Sequence, residues 1–283
     1  MQTWARAPLV VRVVGPRVLG IGLLLGVWQL LVVAGVSSPA GARLPGPLDV
    51  AAEIGYLNSQ GVLVPALLRT LSRAAVGYAL ALAVGTVIGL AAARIPLLRA
   101  SVGSLLSGLQ SLPSVVWAPI AAIFFVAGGQ DENAMYFVVI MGAFPAIAMG
   151  VLSSYDNIAP LTFRLARSLG ARGPQLYRHF IISAALPGYV AGMRQAWAFS
   201  WRSLMAAELI VGSLAASGIG QLLDNGRANL DLPEMFAAVV TILIVGIAVD
   251  DLVFTPLERG LLRRRGLAAA HARGRVAAAT RSR

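Results

Sequence analysis

Residues 168–187 read SLGARGPQLYRHFIISAALP and form the centre of a basic segment, Tyr155 to Leu186, set between two apolar runs. One run, at about 134–152, precedes it, and the other, at about 186–212, follows it. The segment is too long for a simple turn between helices, where connections of ~2–8 residues are usual. It mixes helix formers with Gly170, Gly173-Pro174 and the arginines Arg164, Arg167, Arg172 and Arg178. Apolar Leu165, Leu169, Leu176, Tyr177 and Phe180 are interleaved with them. A helix–Gly–helix element lying on the inner face of a membrane presents both residue types to a partner. A basic interfacial helix resting on anionic lipid has the same pattern, and these residues alone favour neither.

Outward from this segment, apolar runs near the ~20 residues that cross a bilayer recur along the chain. Six candidates fall at about 18–36, 70–93, 102–127, 134–152, 186–212 and 235–255. With 58% hydrophobic and only 12% charged residues over 283, the chain has too little charge to cover a soluble surface. We expect an all-α polytopic membrane protein with about six transmembrane helices, forming one domain over residues 1–283 with its core at about 66–255. Between the first two runs, Val50 to Leu57 reads as a short interfacial helix in a Pro-rich loop. The first run follows arginines and precedes Ala40-Gly41-Ala42, as in a signal peptide, but exceeds the ~7–15 residues of a signal core. It is expected to remain as a span.

Arginine sets the orientation. Arg6, Arg12 and Arg17 put the N-terminus in the cytoplasm, and alternation brings Arg94, Arg99, the 155–186 loop and an Arg-rich tail, about 258–283, to the same side. Arg43, Arg69 and Arg73 fall on the outer side, where the last two are expected to snorkel to the interface. The net charge of +11 therefore reports topology, with no nucleic acid implied. All 23 basic residues are arginine, so the chain cannot build a lysine-bearing phosphate loop, and any ATP hydrolysis belongs to another chain. Cysteine is absent, which excludes disulfides and thiolate chemistry, and the two histidines, His179 and His271, are far apart. No bound cofactor is expected.

Charge inside a span costs about 2.5–3.5 kcal/mol on insertion scales and normally faces protein or a wet cavity. Arg202 and Glu208 lie in the fifth run beside Trp197 and Trp201. Six residues apart, they do not share a helix face, so Glu208 is expected to meet an arginine or a backbone donor from elsewhere. Each is a candidate for the translocation path, with a structural ion pair as the alternative reading. Trp201 beside Arg202, and Ser111, Ser114 and Trp117 around Pro113, are further path candidates, although tryptophan in a span more often packs or anchors.

The 155–186 loop resembles the cytoplasmic loop of ATP-binding-cassette (ABC) importer permeases, whose pattern is EAA-x3-G-x9-I-x-L-P. Aligned on Gly170, Ala166 and Gly170 match, Arg164 stands for Glu, and Ser183 stands for Pro. The longer stretch ARSLGARGPQLYRHFIISAALPGYVAGMRQAW resembles that of sulfonate, taurine and nitrate importer permeases. Leu44-Pro45-x-Pro47, Thr70-Leu71-x-Arg73-x3-Gly77 and Leu112-Pro113-x4-Ala118-Pro119 are similar to family signatures upstream. So, downstream, are Ala207-Glu208, Ser217-Gly218-Ile219-Gly220, and Asp250 or Asp251 with Leu257-Glu258-Arg259. The resemblance implies the type I importer permease fold and an inner-membrane transport subunit that is not an enzyme. ATP and magnesium would sit on a partner ABC ATPase subunit, an extracytoplasmic binding protein would deliver solute, and a second permease copy would complete the path. It further implies alternating access for a small anion, aliphatic sulfonate or taurine ahead of nitrate, bicarbonate or a thiamine precursor. The ATPase-coupling residues would be Arg164, Ala166, Gly170, Arg172, Leu176, Tyr177 and Arg178. A secondary transporter would want coupling charges in several spans, and a membrane enzyme a His, Cys, Asp or Glu cluster. Neither accounts for the loop around Gly170.

Overall fold

The computed structural model describes residues 9–36, 43–211 and 218–264. No β-strand occurs among them, and the elements follow one another as helices. They are α1 (Leu9–Val33), α2 (Pro47–Ser59), α3 (Leu63–Arg94), α4 (Pro96–Ser111) and α5 (Trp117–Phe125). Then come α6 (Asp131–Asp156), α7 (Pro160–Ser168), α8 (Ile182–Ile210), α9 (Ile219–Ala228), α10 (Leu232–Val249) and α11 (Thr255–Arg264). Most of the Arg-rich tail and the Ala40-Gly41-Ala42 site lie outside the described residues.

Each apolar run read from the sequence is helical, but the runs do not all become straight spans. By length and composition α3, α6 and the continuous Leu232–Leu261 rod can cross a membrane. The apolar part of α1, Val18–Val33, is shorter, and α8 has 29 residues but carries Arg194, Arg202 and Glu208. The expected third span, 102–127, is broken: Pro96–Ser111 and Ser114–Gly128 meet at a 90° bend. The cause is Pro113, which forces the preceding Leu112 into the extended region (φ −72°, ψ 129°) and ends α4. Pro119 sits in the first turn of α5, where its missing N–H is not needed. Pro145 stays inside α6, and its carbonyl accepts the Gln110 amide at 3.1 Å.

α6 is the central helix, packed against α3, α4, α5 and α8. Small residues allow this. Along α3, Gly77, Ala81, Gly85 and Gly89 recur every four residues and face α6. A methyl group at Gly85 would sit 2.7 Å from the Phe144 carbonyl oxygen. Where α6 crosses α8, Gly150 and Gly192 touch backbone to backbone, and a methyl on either would lie 2.9 Å from the other's Cα. In lipid, where apolar side chains gain nothing by leaving the solvent, such close approach is a main source of helix association.

The 155–186 segment departs from the expected pair of short helices. α6 runs to Asp156, α7 supplies one short helix, and the second segment is a π turn, Leu176–Ile181, that leads directly into α8. Between Gln175 and Ile210 the one proline is Pro187, and a membrane helix tolerates one proline when neighbouring groups meet the freed carbonyl. α2 realises the short helix expected between the first two runs.

Candidate functional site

The loop and the bundle interior each place residues singled out by the sequence. α7 ends at Gly170, whose φ is +76°. Its N–H donates to the Arg167 carbonyl and the Ala171 N–H to the Ala166 carbonyl, each at 3.0 Å. These two bonds make a Schellman closure, which needs a left-handed residue and so selects glycine. Ala166 and Ala171, which flank it, are both buried. Phe163 packs on Tyr155, and the Arg94 guanidinium stands 4.3 Å over the Tyr177 ring, joining the end of α3 to the π turn. Arg164, Arg167, Arg172 and Arg178 remain exposed, as do Leu161, Leu165 and Leu169. Leu176 and Tyr177 are half-buried. The loop is thus a firmly seated ridge with an exposed basic and apolar surface.

Glu208 is enclosed, 1% exposed, at the meeting of α3, α8 and α9. The Thr70 hydroxyl donates to its carboxylate at 3.0 Å, the Gly220 N–H donates to Oε2 at 2.9 Å, and Arg73 Nη1 donates to Oε1 at 3.2 Å. The Ile219 N–H donates in turn to the Thr70 hydroxyl at 2.9 Å. The carboxylate therefore receives the N-terminus of α9, where unpaired N–H groups and the helix dipole favour an anion. A side chain on Gly218 or Gly220 would overlap Glu208, so the glycines are needed for the approach. Arg73 does not snorkel: it is 3% exposed and also holds Glu132 of α6, with Nη2 to Oε1 at 2.6 Å. The segments Thr70-Leu71-x-Arg73, Ala207-Glu208 and Gly218-Ile219-Gly220, 150 residues apart at the extremes of their numbering, converge on one network.

A second network pins α8 nearer its start. Arg194 Nε donates to Asp250 Oδ1 at 2.7 Å and Nη1 to Glu258 Oε2 at 3.0 Å. In the sequence Asp250 stands only as part of the Asp–Leu-Glu-Arg signature. The π turn Asp250–Phe254 directs it to α8, with Phe254 buried beside Trp197. Arg194 was not among the sequence candidates, and the signal that could have found it is a charge inside the apolar run at about 186–212.

The remaining path candidates are not gathered in one place by this chain. Arg202 is exposed, its Nε donates to the Ala198 carbonyl at 3.1 Å, and its guanidinium lies 4.8 Å over the Phe199 ring. It makes no ion pair among the described residues. Trp201 is buried and stacked on Trp197 at 6.1 Å, and Trp117 sets its ring edgewise to Phe137 at 6.2 Å. The Ser111 hydroxyl is spent on the Gly108 carbonyl at 2.7 Å. Ser114 lies beside Gly142 at the α6–α8 crossing, next to Ser203. Among the described residues no group of three or more His, Cys, Asp or Glu side chains is placed to hold a metal ion.

Residues 85–263 match the family model of the binding-protein-dependent transport system inner membrane component. The chain belongs to that family. It is an ABC importer permease, an all-α transport subunit of the inner membrane whose ATPase is a separate chain. It is 27% identical over 241 residues to the putative aliphatic sulfonates transport permease protein SsuC of Bacillus subtilis, covering 85% of this chain and 84% of that one. It is 26% identical to the taurine transport system permease protein TauC of Escherichia coli, over 81% and 82% of the two chains. The bicarbonate transport system permease protein CmpB of Synechococcus elongatus is 27% identical over 85% and 88%. The fold is similar to that of a chain in the inward-facing MetNI methionine ABC transporter, with a TM-score of 0.57 at 19% identity over 72% of this chain and 98% of that one.

Proposed function

We propose that this permease carries a small anion, aliphatic sulfonate or taurine ahead of nitrate, bicarbonate or a thiamine precursor, and acts by alternating access. The whole chain would work as one transmembrane unit and pair with a second copy. Its two termini and α7 would lie in the cytoplasm, and a binding protein would deliver solute at the opposite face. The observation that carries this reading is the ridge at Gly170: a basic, apolar surface fixed by a Schellman turn and continuous, through the π turn, with α8. Such a ridge suits transmission of ATPase closure to the helix that bears Arg202. The SsuC, TauC and CmpB relatives support an anionic solute and do not choose among sulfonate, taurine and bicarbonate.

Gly170→Val tests the coupling role. The left-handed backbone costs an ordinary residue roughly 1–2 kcal/mol, and more for a β-branched one, so the ridge should change shape while the bundle remains inserted. The expected result is a purified complex that retains its ATPase but loses solute-stimulated hydrolysis. Normal stimulation with normal ATPase recovery would reduce the loop to a membrane-surface helix.

Arg202 is proposed as a transient partner for the anion because its guanidinium is exposed on α8 with no carboxylate against it among the described residues. Arg202→Ala should lower sulfonate uptake by about tenfold or more, the scale of one lost charge-assisted bond, while the complex assembles normally. Failure to assemble would mark Arg202 as structural. Glu208, closed in where α3, α8 and α9 meet, is proposed to position α9 and not to meet solute.

A further inference from the structure

The exposed face of α7 carries both arginine and leucine, and their arrangement bears on the kind of surface that receives it in the docking role proposed above. At 3.6 residues per turn, Arg167, Arg164, Ser168, Leu161, Leu165 and Leu169 follow one another round an arc of roughly 200°, and all are exposed. The seated side is centred on buried Ala166, between half-buried Thr162 and Phe163. The direction opposite it falls between Arg164 and Leu161, so guanidinium and leucine share the pole that points away from the bundle. A bilayer surface separates such groups, sinking the leucines and lifting the charges. A protein groove with an apolar floor and a charged rim takes both together.

Three carboxylates at this end of the bundle are engaged with other arginines, Asp156 with Arg99, and Asp250 and Glu258 with Arg194, and the exposed Asp251 forms no ion pair with the ridge among the described residues. Arg164, Arg167, Arg172 and Arg178 have no ion pair among the described residues. The importer-permease pattern carries glutamate where this chain has Arg164, so the charge at that point of the ridge is inverted. We infer that α7 docks into an apolar groove with an acidic rim on the ATPase subunit, and that an Asp or Glu of that subunit faces Arg164. The inference rests on the docking role proposed above and adds the chemistry of the receiving surface, which would reject an ATPase whose groove is lined with arginine or lysine.

The absence of lysine from the chain supplies a direct probe. Arg164→Lys introduces the single side-chain amine, and a carbodiimide joins an amine to a carboxylate only in direct contact. Applied to the tagged full-length chain and the ATPase that copurifies with it, the reagent is expected to give a covalent adduct joined through residue 164, which the wild-type chain cannot form. Mass spectrometry should map the junction to an Asp or Glu of the lysine-loop ATPase chain. Arg164→Glu should lower ATPase recovery about tenfold in neutral detergent at about 0.15 M salt. If no adduct forms and Arg164→Glu keeps its ATPase while Leu165→Asp loses it, docking stands and the acidic rim is wrong. If Leu165→Asp also keeps its ATPase, α7 rests on lipid and both readings fall.

Discussion

Glu208→Ala should destabilise the permease by about 3–5 kcal/mol, the range for removing one partner of a buried ion pair. The loss comes from what stays behind. The Thr70 hydroxyl, the Gly220 N–H and one edge of Arg73 all point at the 1%-exposed carboxylate. Arg73 keeps Glu132, which limits the cost of its own charge. The N-terminus of α9 has no such reserve, since its Ile219 and Gly220 amides depend on Thr70 and Glu208. Glu208→Gln, which keeps an acceptor for these donors, should lose clearly less. Thermal unfolding in detergent, followed by tryptophan fluorescence, measures both. A midpoint for Glu208→Ala within about two degrees of wild type would show that the network contributes little and that Glu208 is free for another role.

The second large effect is expected at the crossing of α6 and α8. A Cβ on Gly150 would stand 2.9 Å from the Gly192 Cα, against backbone that no rotamer change can move. Gly150→Val must therefore separate the two helices that carry Pro145, Trp201 and Glu208. Overpacking of well-filled sites typically costs ~1–3 kcal/mol and sometimes more, and the upper end is expected because both helices lose their contact along a shared face. Gly103→Ala in α4 is the comparison, since nothing lies within 4 Å of a methyl there. It should be neutral or slightly stabilising, given the better helix propensity of alanine. Monodisperse protein after Gly150→Val, with a midpoint matching Gly103→Ala, would mean that the crossing relaxes and the glycine pair is dispensable.

These two sites are legible in the sequence to different degrees. Glu208 stood out because a charge within an apolar run is costly and has to meet a partner, and a partner on another helix was the expected form. Which partner it meets was not legible: Arg73, 135 residues away, was read as an outer-surface side chain because topology alone put it near an interface. Gly150 and Gly192 gave no local sign, since a glycine in an apolar helix is common in membranes. Only their register against each other makes them a contact.

The run lengths and the arginine bias determined from sequence alone that the chain is a helical membrane protein, because hydrophobic length and charge placement act locally along the chain, and the resemblance of the loop around Gly170 to importer permeases added the transport role. Backbone constraints are just as local: the left-handed Gly170 and the stop at Leu112-Pro113 sit where the sequence put them. The tertiary structure decided what these elements do together. It turned the third run through 90°, carried the π turn straight into α8, and tied α8 by Glu208 near its end and by Arg194 near its middle. The physical reason is range. Hydropathy and dihedral preference are properties of a few neighbouring residues, whereas the partner of a buried charge and the site where two glycines touch depend on how whole helices are packed.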